Sequence, residues 1–189
     1  MAKQKGIIKL DGTIGGITFY KTTEDGYLAR EKGGVSADKI ANDPTFQRNR
    51  ENGEEFVRAG KAGKLLRNAI RAMLQNASDS RMVGRLTQKM VEVIQEDLTN
   101  PRGQRNVIDG EAELLEGFEF NISGKLGTTL YAPFTGTIDR VAGTLTANIP
   151  AFVPINMLAA PGGSTHFKIA SAGAEVDFEN ETFVIDTQA

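Results

Sequence analysis

The spacing of apolar residues changes once along the chain, and this change limits the fold more than any other feature. Between Pro44 and Leu98 apolar residues recur every three or four positions, the period of a helix packed on one side. From Gly117 onward they fall in short runs that partly alternate with polar residues, as in strands. We therefore predict an α+β fold, with an N-terminal β-ribbon plus helical hairpin and a C-terminal antiparallel β-sandwich (Ig-like).

Charge divides the chain at nearly the same point. Residues 1–105 carry 19 Lys and Arg against 13 Asp and Glu, whereas residues 106–189 carry 3 against 11. We predict two domains: residues 1–105 form the basic ribbon and helical hairpin, and residues 106–189 form the acidic β-sandwich. The split fits contacts between unlike halves of neighbouring subunits, a nucleic-acid face on the basic half, or two solvated surfaces.

The first 32 residues predict a short antiparallel meander. Strand-like runs cover residues 6–10, 17–21 and 27–30, with turns at Asp11-Gly12 and at residues 24–26. Gly15-Gly16 indicates a bulge or a close backbone approach. A ribbon of this size has little core, so we expect it to lie on another part of the chain or on another subunit.

Two helices follow a connector. Asp43-Pro44 is a good helix start, and the first helix is predicted from Pro44 to about Gln75. The second is predicted from about Ser80 to Leu98, as the other arm of an antiparallel hairpin. Its predicted apolar face consists of Val83, Leu86, Met90, Val93 or Ile94, and Leu98.

Glycines lie on the apolar face of the first helix. The predicted helix-packing residues are Gly53, Phe56, Gly60, Gly63 and Leu66. Each glycine costs about 1 kcal/mol against alanine inside a helix. Either these small residues let another backbone approach closely, or the helix breaks near Gly53 or Gly60. We favour close packing, because the three glycines share one face.

Basic residues form two rows at helical spacing. The candidate nucleic-acid-binding residues are Lys64, Arg67 and Arg71 on the first helix and Arg81, Arg85 and Lys89 on the second. A solvated helix face is the alternative interpretation. No aromatic residues interleave with these rows, which argues against a stacking platform for single strands.

Seven strands are predicted after Gly117. They cover residues 118–122, 128–132, 135–139, 144–149, 165–170, 174–178 and 182–185. Pro150 and Pro154 flank Phe152, which makes that stretch an edge or a crossover.

The residue types argue against an enzyme. Cysteine is absent and His166 is the single histidine, so a thiolate nucleophile is excluded and a zinc site nearly so. We predict no catalytic residues, no cofactor, no metal site and no small-molecule substrate. The apolar run after Lys5 ends at Leu10, too short for a signal peptide, and no stretch is long enough for a membrane span. We therefore expect cytoplasmic synthesis.

Two segments carry a resemblance to a known family. Residues 6–20 with Gly26-Tyr27-Leu28-Ala29-Arg30, and residues 48–56, resemble an uncharacterised Bacteroidota protein family that often occurs in phage-like or mobile-element contexts. Residues 149–154 and Ala160-Pro161 extend the resemblance over most of the chain. It implies no activity and no site residues, but it favours a virion or assembly component.

These observations predict a non-enzymatic structural protein, a self-associating component of a phage or phage-like virion. Its expected partners are further copies of the chain or other virion proteins, and its expected location is a virion or another macromolecular assembly. The alternative is a nucleic-acid-binding accessory protein that uses the basic rows. A third option is a carbohydrate- or surface-binding β half, for which Tyr131 and the phenylalanines offer few stacking surfaces.

Overall fold

The computed structural model describes residues 2–188. Met1 and Ala189, at the outer ends of the two predicted domains, lie outside the described residues. The predicted α+β organisation is confirmed, with an N-terminal antiparallel sheet, helices, and strand pairs towards the C-terminus. The chain divides into two compact units, one up to Arg50 and one from Glu51 onward.

The N-terminal sheet has four antiparallel strands in the order β1-β4-β3-β2. Cross-strand pairs such as Tyr20 with Leu28 set the register of its two longest strands, and Leu28 is buried. The strands are β1 (Ala2–Lys3), β2 (Gly12–Ile14), β3 (Ile17–Thr22) and β4 (Gly26–Glu31).

The strand predicted over residues 6–10 is wrong, because that segment is a loop closed by a side chain. The Gln4 amide accepts from the Leu10 backbone N–H at 2.9 Å and donates to the carbonyls of Leu10 and Leu28. The first hairpin turn is therefore at Gly15-Gly16 and not at Asp11-Gly12. Gly15 has φ of +56°, a conformation that glycine adopts without strain.

The helical region begins with two capped turns. Helix α1 (Ala37–Asn42) lies in the predicted connector and is capped by the Ser36 hydroxyl. The Asp43 carboxylate accepts from the Thr45 N–H at 2.9 Å and caps a 3-10 turn over Pro44–Phe46. The predicted start at Asp43-Pro44 is confirmed, and the turn leads into α2 (Gln47–Ala69).

Helix α2 passes Gly53 and Gly60 without a break, so the alternative in which the helix is interrupted there is wrong. The helix ends at Ala69, because Ile70 has φ of −101° and ψ of 24°, outside the helical range. The single helix predicted from Pro44 to about Gln75 is therefore wrong. Two further helices follow, α3 (Arg71–Ala77) and α4 (Met82–Gln95).

The core of the second unit lies on α4. Leu86, Met90, Val93 and Ile94 are fully buried, which confirms most of the predicted apolar face. Val83 and Leu98 are exposed instead, because the buried row is completed by Met82 and the helix ends before Leu98. Each fully buried aliphatic side chain contributes about 1.5–3 kcal/mol to folding.

Four of the seven strands predicted after Gly117 are present, as two hairpins. The hairpins form separate two-stranded antiparallel sheets. A short helix, α5 (Leu126–Thr129), and another, α6 (Pro154–Met157), flank a single bridge between Leu130 and Leu158. The strands are β5 (Thr135–Asp139), β6 (Thr144–Asn148), β7 (Ser171–Asp177) and β8 (Thr182–Gln188).

The strand predicted over residues 118–122 does not form, because α4 and its preceding turn occupy that segment's backbone groups. The Arg85 guanidinium donates to the Glu119 carbonyl at 2.6 Å, and Asp79 accepts from the Ile122 N–H at 2.9 Å. Residues 128–132 are divided between α5 and the Leu130 bridge, and residues 165–170 form no strand.

Side chains from beyond residue 105 pack directly on the helical core. They are Val107, Leu114, Leu115, Phe118, Phe120 and Phe178. The change of charge near residue 105 therefore falls inside the second unit. Among residues 2–188, no helix is both long enough and apolar enough to cross a membrane.

Candidate functional site

The predicted glycine face of α2 is divided between the core and the surface. A Cβ on Gly63 would lie 3.6–3.7 Å from atoms of Leu86 and Met90, so this glycine packs against α4 of the same chain. Leu66 packs on the same core. The buried face continues through Ala59 and Glu55, about one residue around the helix from the predicted row.

Gly53, Phe56 and Gly60 do not line that core. A Cβ at either glycine would meet no atom within 4 Å, and Phe56 is 60% exposed. A glycine with open space around it gains nothing from contacts within this chain, while it weakens the helix by about 1 kcal/mol. These three residues remain available to another molecule.

A buried ion pair between Glu55 and Arg105 lies beside the predicted packing row of α2. Both oxygens of Glu55 accept from the Arg105 guanidinium at 2.8 Å, and one also accepts from the Gly103 N–H at 2.8 Å. The Glu55 side chain is 3% exposed. The hydrogen bond from Arg105 lowers the pKa of Glu55, against the opposing effect of burial. The network joins α2 to the loop after α4.

Asp97 organises that loop. Its carboxylate accepts from the backbone N–H groups of Thr99, Asn100 and Asn106 at 2.8–3.0 Å and from the Asn100 side chain at 2.9 Å. Burial by itself raises the pKa of Asp97, but these hydrogen bonds outweigh it and lower the pKa to about 2. The sequence offered no signal for Asp97 beyond its position at a helix end.

We expect acid to destabilise the second unit through Asp97. Since its pKa is lowered on folding, its contribution is complete above the unfolded value near 4 and is lost as pH falls towards 2. Urea unfolding followed by the helical circular dichroism signal should show a smaller dependence on pH between 4 and 2 in Asp97→Asn than in the wild type. Identical slopes in the two proteins would contradict this role.

The two predicted basic rows are only partly free. In the second row, Arg85 pairs with Asp79 at 2.6 Å and stacks on the Phe118 ring at 5.4 Å, while Lys89 pairs with Glu92. Arg81 is exposed. Arg85 is thus a structural residue that fixes residues 118–122 on α4.

The first row keeps more of its charge accessible. Lys64 and Arg71 are exposed, and Arg67 is half-buried with its Nε donating to the Gly63 carbonyl at 3.2 Å. Lys64 and Arg67 therefore lie on α2, and Arg71 begins α3 after the break at Ile70. Arg67 and Arg71 line one surface depression, whereas Arg85 and Lys89 are paired with carboxylates of the chain.

A long segment beyond the helices is ordered but hardly buried. Of the 50 residues from 121 to 170, 42 are exposed, and only Leu130 and Ala132 are buried. Every residue of β5 and β6 is exposed. A two-stranded hairpin without a covered face is marginally stable in water, so this segment needs additional contacts.

The β5–β6 hairpin has one apolar and one polar face. Ile138 lies opposite Leu145 on the apolar face, and Thr137 lies opposite Thr146 on the polar face. Leu145 touches the next hairpin, because a Cβ on Gly173 would lie 2.4 Å from its side chain. Ile138 is 69% exposed and leaves the apolar face incomplete.

The accessible surface of the chain is unusually large. It amounts to 14056 Å² for a mass of 20.4 kDa. A compact monomer of that mass exposes about 8,800 Å², and two separate compact units of 50 and 139 residues would together expose about 10,400 Å². The excess of about 3,700 Å² exceeds the roughly 800 Å² that one partner buries in a standard interface.

The single histidine and the groups able to bind a metal were the other candidates for chemistry. His166 is exposed, outside any strand, with its Nδ1 2.9 Å from the Thr165 hydroxyl. Among residues 2–188, no three His, Cys, Asp or Glu side chains gather into a group that could hold a metal ion.

Comparison of the chain with protein-family models, with curated proteins and with solved structures finds no match.

Proposed function

We propose that this chain is a non-enzymatic structural protein that assembles with copies of itself, as a component of a phage or phage-like virion. One observation carries the proposal: residues 121–170 form a regular hairpin, short helices and turns while 42 of the 50 stay exposed. The apolar face of the β5–β6 hairpin is covered within its own chain only beside Leu145, and a partner that covers the rest of it would stabilise the hairpin. The virion setting rests on the resemblance of residues 6–20 and 48–56.

A second copy is the occupant that this surface fits. Both small sheets present free edges on all their strands, and free edges pair readily with the same strands of another copy. The acidic stretch from residue 106 and the basic stretch before it also favour contacts between unlike parts of neighbouring subunits. The excess surface supports more than one interface per chain.

In this proposal, the β-sandwich that the sequence predicts forms between two copies of the chain. The exposed apolar face around Ile138 and Leu145 would become one layer of a sandwich when a partner's hairpin packs against it. The edge strands β1 and β2 of the N-terminal sheet offer a second place for strand addition.

The test compares the two faces of one hairpin. Light scattering across a range of protein concentrations should give an oligomer for the wild type and a monomer of 20.4 kDa for Ile138→Lys. Thr137→Lys adds the same charge on the opposite face of the same strand and should leave the oligomer intact. A wild-type protein that stays monomeric at every concentration contradicts the proposal.

Gly60 provides an independent variant in the same experiment. A Cβ at Gly60 would meet no atom within 4 Å, so we expect Gly60→Leu to fold while it blocks a close approach by another copy to α2. Gly60→Ala should keep the oligomer and raise helix stability by about 1 kcal/mol. Gly63→Leu is unsuitable as a test of assembly, because Gly63 packs against Leu86 within the chain.

A further inference from the structure

A groove of about 520 Å³ lies between α2 and the β7–β8 hairpin. One wall carries Lys61 and Lys64 from α2, and the other carries Phe178 and Phe183 from the hairpin. More than 110 residues separate these walls in sequence, so the sequence pattern does not reveal that aromatic rings face a basic helix.

The lysines of the groove are free to bind a ligand. Lys61 and Lys64 are exposed, and within residues 2–188 neither forms an ion pair. Arg58, at one end of the groove, donates instead to the backbone carbonyls of Gly103 and Arg105. Among the described residues of the lining, Glu181 supplies the one carboxylate, so the groove is cationic overall.

The basic side extends along the helix beyond this groove. Asn68 lines both the groove and a neighbouring depression that includes Arg67 and Arg71. From Lys61 to Arg67 helix α2 rises about 9 Å, and Arg71 follows at the start of α3. A linear polyanion can therefore follow α2 and meet cations along its length.

The hairpin contributes a stacking surface next to these cations. The residue Phe183 is 41% exposed, and Phe178 is half-buried because it also packs on the helical core. Single-stranded nucleic acids are bound by this pairing of elements: cations meet the backbone phosphates while bases stack on aromatic rings. Duplex bases are already stacked and paired, so they cannot use the ring in this way.

We propose that the groove binds single-stranded nucleic acid, with Lys61 and Lys64 on the phosphates and Phe183 stacked on a base. This site goes beyond self-assembly and requires none of the apolar surface of the β5–β6 hairpin. It also replaces the Arg85 and Lys89 row, whose side chains are paired within the chain, with residues that are accessible.

Glu181 gives the proposal a variant that should improve binding. Its φ of +54° is strained for a residue with a side chain, and the equivalent turn position of the β5–β6 hairpin is Gly143 with φ of +65°. Glu181→Gly removes a negative charge from the groove and suits the turn. It should therefore raise affinity for an oligonucleotide.

The experiment measures fluorescence anisotropy of a labelled oligothymidylate of about 12 nucleotides at low salt, with unfolding curves to show that each variant folds. Lys61→Glu with Lys64→Glu should weaken binding at least about tenfold and reduce the salt slope by about 1.4, since each single-strand phosphate contact contributes about 0.7. Phe183→Ala should weaken binding on the order of tenfold. Lys125→Glu, an exposed lysine outside the groove, is the charge control.

Several results would overturn the proposal. They are no binding by the wild type, equal binding of duplex and single strand, and a double lysine variant that binds as well as Lys125→Glu. Loss of the oligomer in Lys61→Glu with Lys64→Glu, without oligonucleotide binding by the wild type, would assign the groove to contacts between copies instead. Because Ile138→Lys tests assembly separately, failure of either proposal is recognisable on its own.

Discussion

Replacing Glu55 with alanine should lower the free energy of unfolding of the second unit by about 3–5 kcal/mol, the usual cost of removing one partner of a buried ion pair. The variant leaves the Arg105 guanidinium in a site where its side chain is only 16% exposed. It also leaves the Gly103 N–H without its acceptor. Urea unfolding followed by the helical circular dichroism signal measures the loss.

The neighbouring residue on the helix supplies the control. Glu54 is exposed, so Glu54→Ala removes the same side chain from a solvated position and should change stability by less than about 0.5 kcal/mol. Glu55→Met combined with Arg105→Met should recover much of the loss, because no charge is then left buried alone. Equal stability of Glu55→Ala and Glu54→Ala would show that the pair contributes little.

Local sequence signals were sufficient to predict those elements whose structure depends on residues close together in the chain. The β5–β6 hairpin forms at the predicted positions, since Asp139 accepts from the N–H groups of Val141 and Ala142 and Gly143 takes the left-handed position. The Asp43 cap and the buried row on α4 follow from short-range patterns in the same way. In each case the residues that determine the element lie within it.

Long-range partners explain the predictions that failed. Phe118 and Phe120 alternate with Glu119 as in a strand, and their rings do meet edge to face at 5.0 Å. The backbone of residues 119–122 carries no neighbouring strand, because Arg85 and Asp79 bind it from 34 to 43 residues away. A periodic pattern reports which side chains share a face, but it does not report what the backbone is bonded to.

The residues of the candidate site were likewise predictable from the sequence only where local spacing determines their positions. Helical spacing predicts one row of Lys64, Arg67 and Arg71, whereas in the structure α2 ends before Arg71. The spacing also could not show that Arg85 is paired with Asp79 of its own chain. The sequence disfavours a stacking platform because no aromatic residues lie among the basic ones along the helices. The β7–β8 turn nevertheless brings two phenylalanine rings to the groove that Lys61 lines, and only the folded chain reveals that arrangement.

The loop that carries the groove depends on one glycine. A Cβ on Gly110 would lie well under 3.0 Å from the Val93 carbonyl oxygen, a distance that real Cβ atoms do not tolerate, and at a tight 3.0 Å from the Asn106 carbonyl oxygen. Both neighbours are backbone atoms, and Val93 belongs to the buried row of α4, so neither can move without disturbing the core. Gly110→Ala should therefore destabilise the second unit by about 3 kcal/mol or more, at or above the upper end of the usual range for overpacking.

Gly84→Ala makes the contrast that isolates this steric effect. Gly84 lies on the exposed side of α4, and a Cβ there would meet no atom within 4 Å, so alanine should stabilise the helix by about 0.5–1 kcal/mol. The same substitution thus has opposite signs at two glycines 26 positions apart. Urea denaturation of both variants measures the two changes in stability. If Gly110→Ala unfolds at the same urea concentration as the wild type, the close approach of residue 110 to Val93 does not constrain the fold.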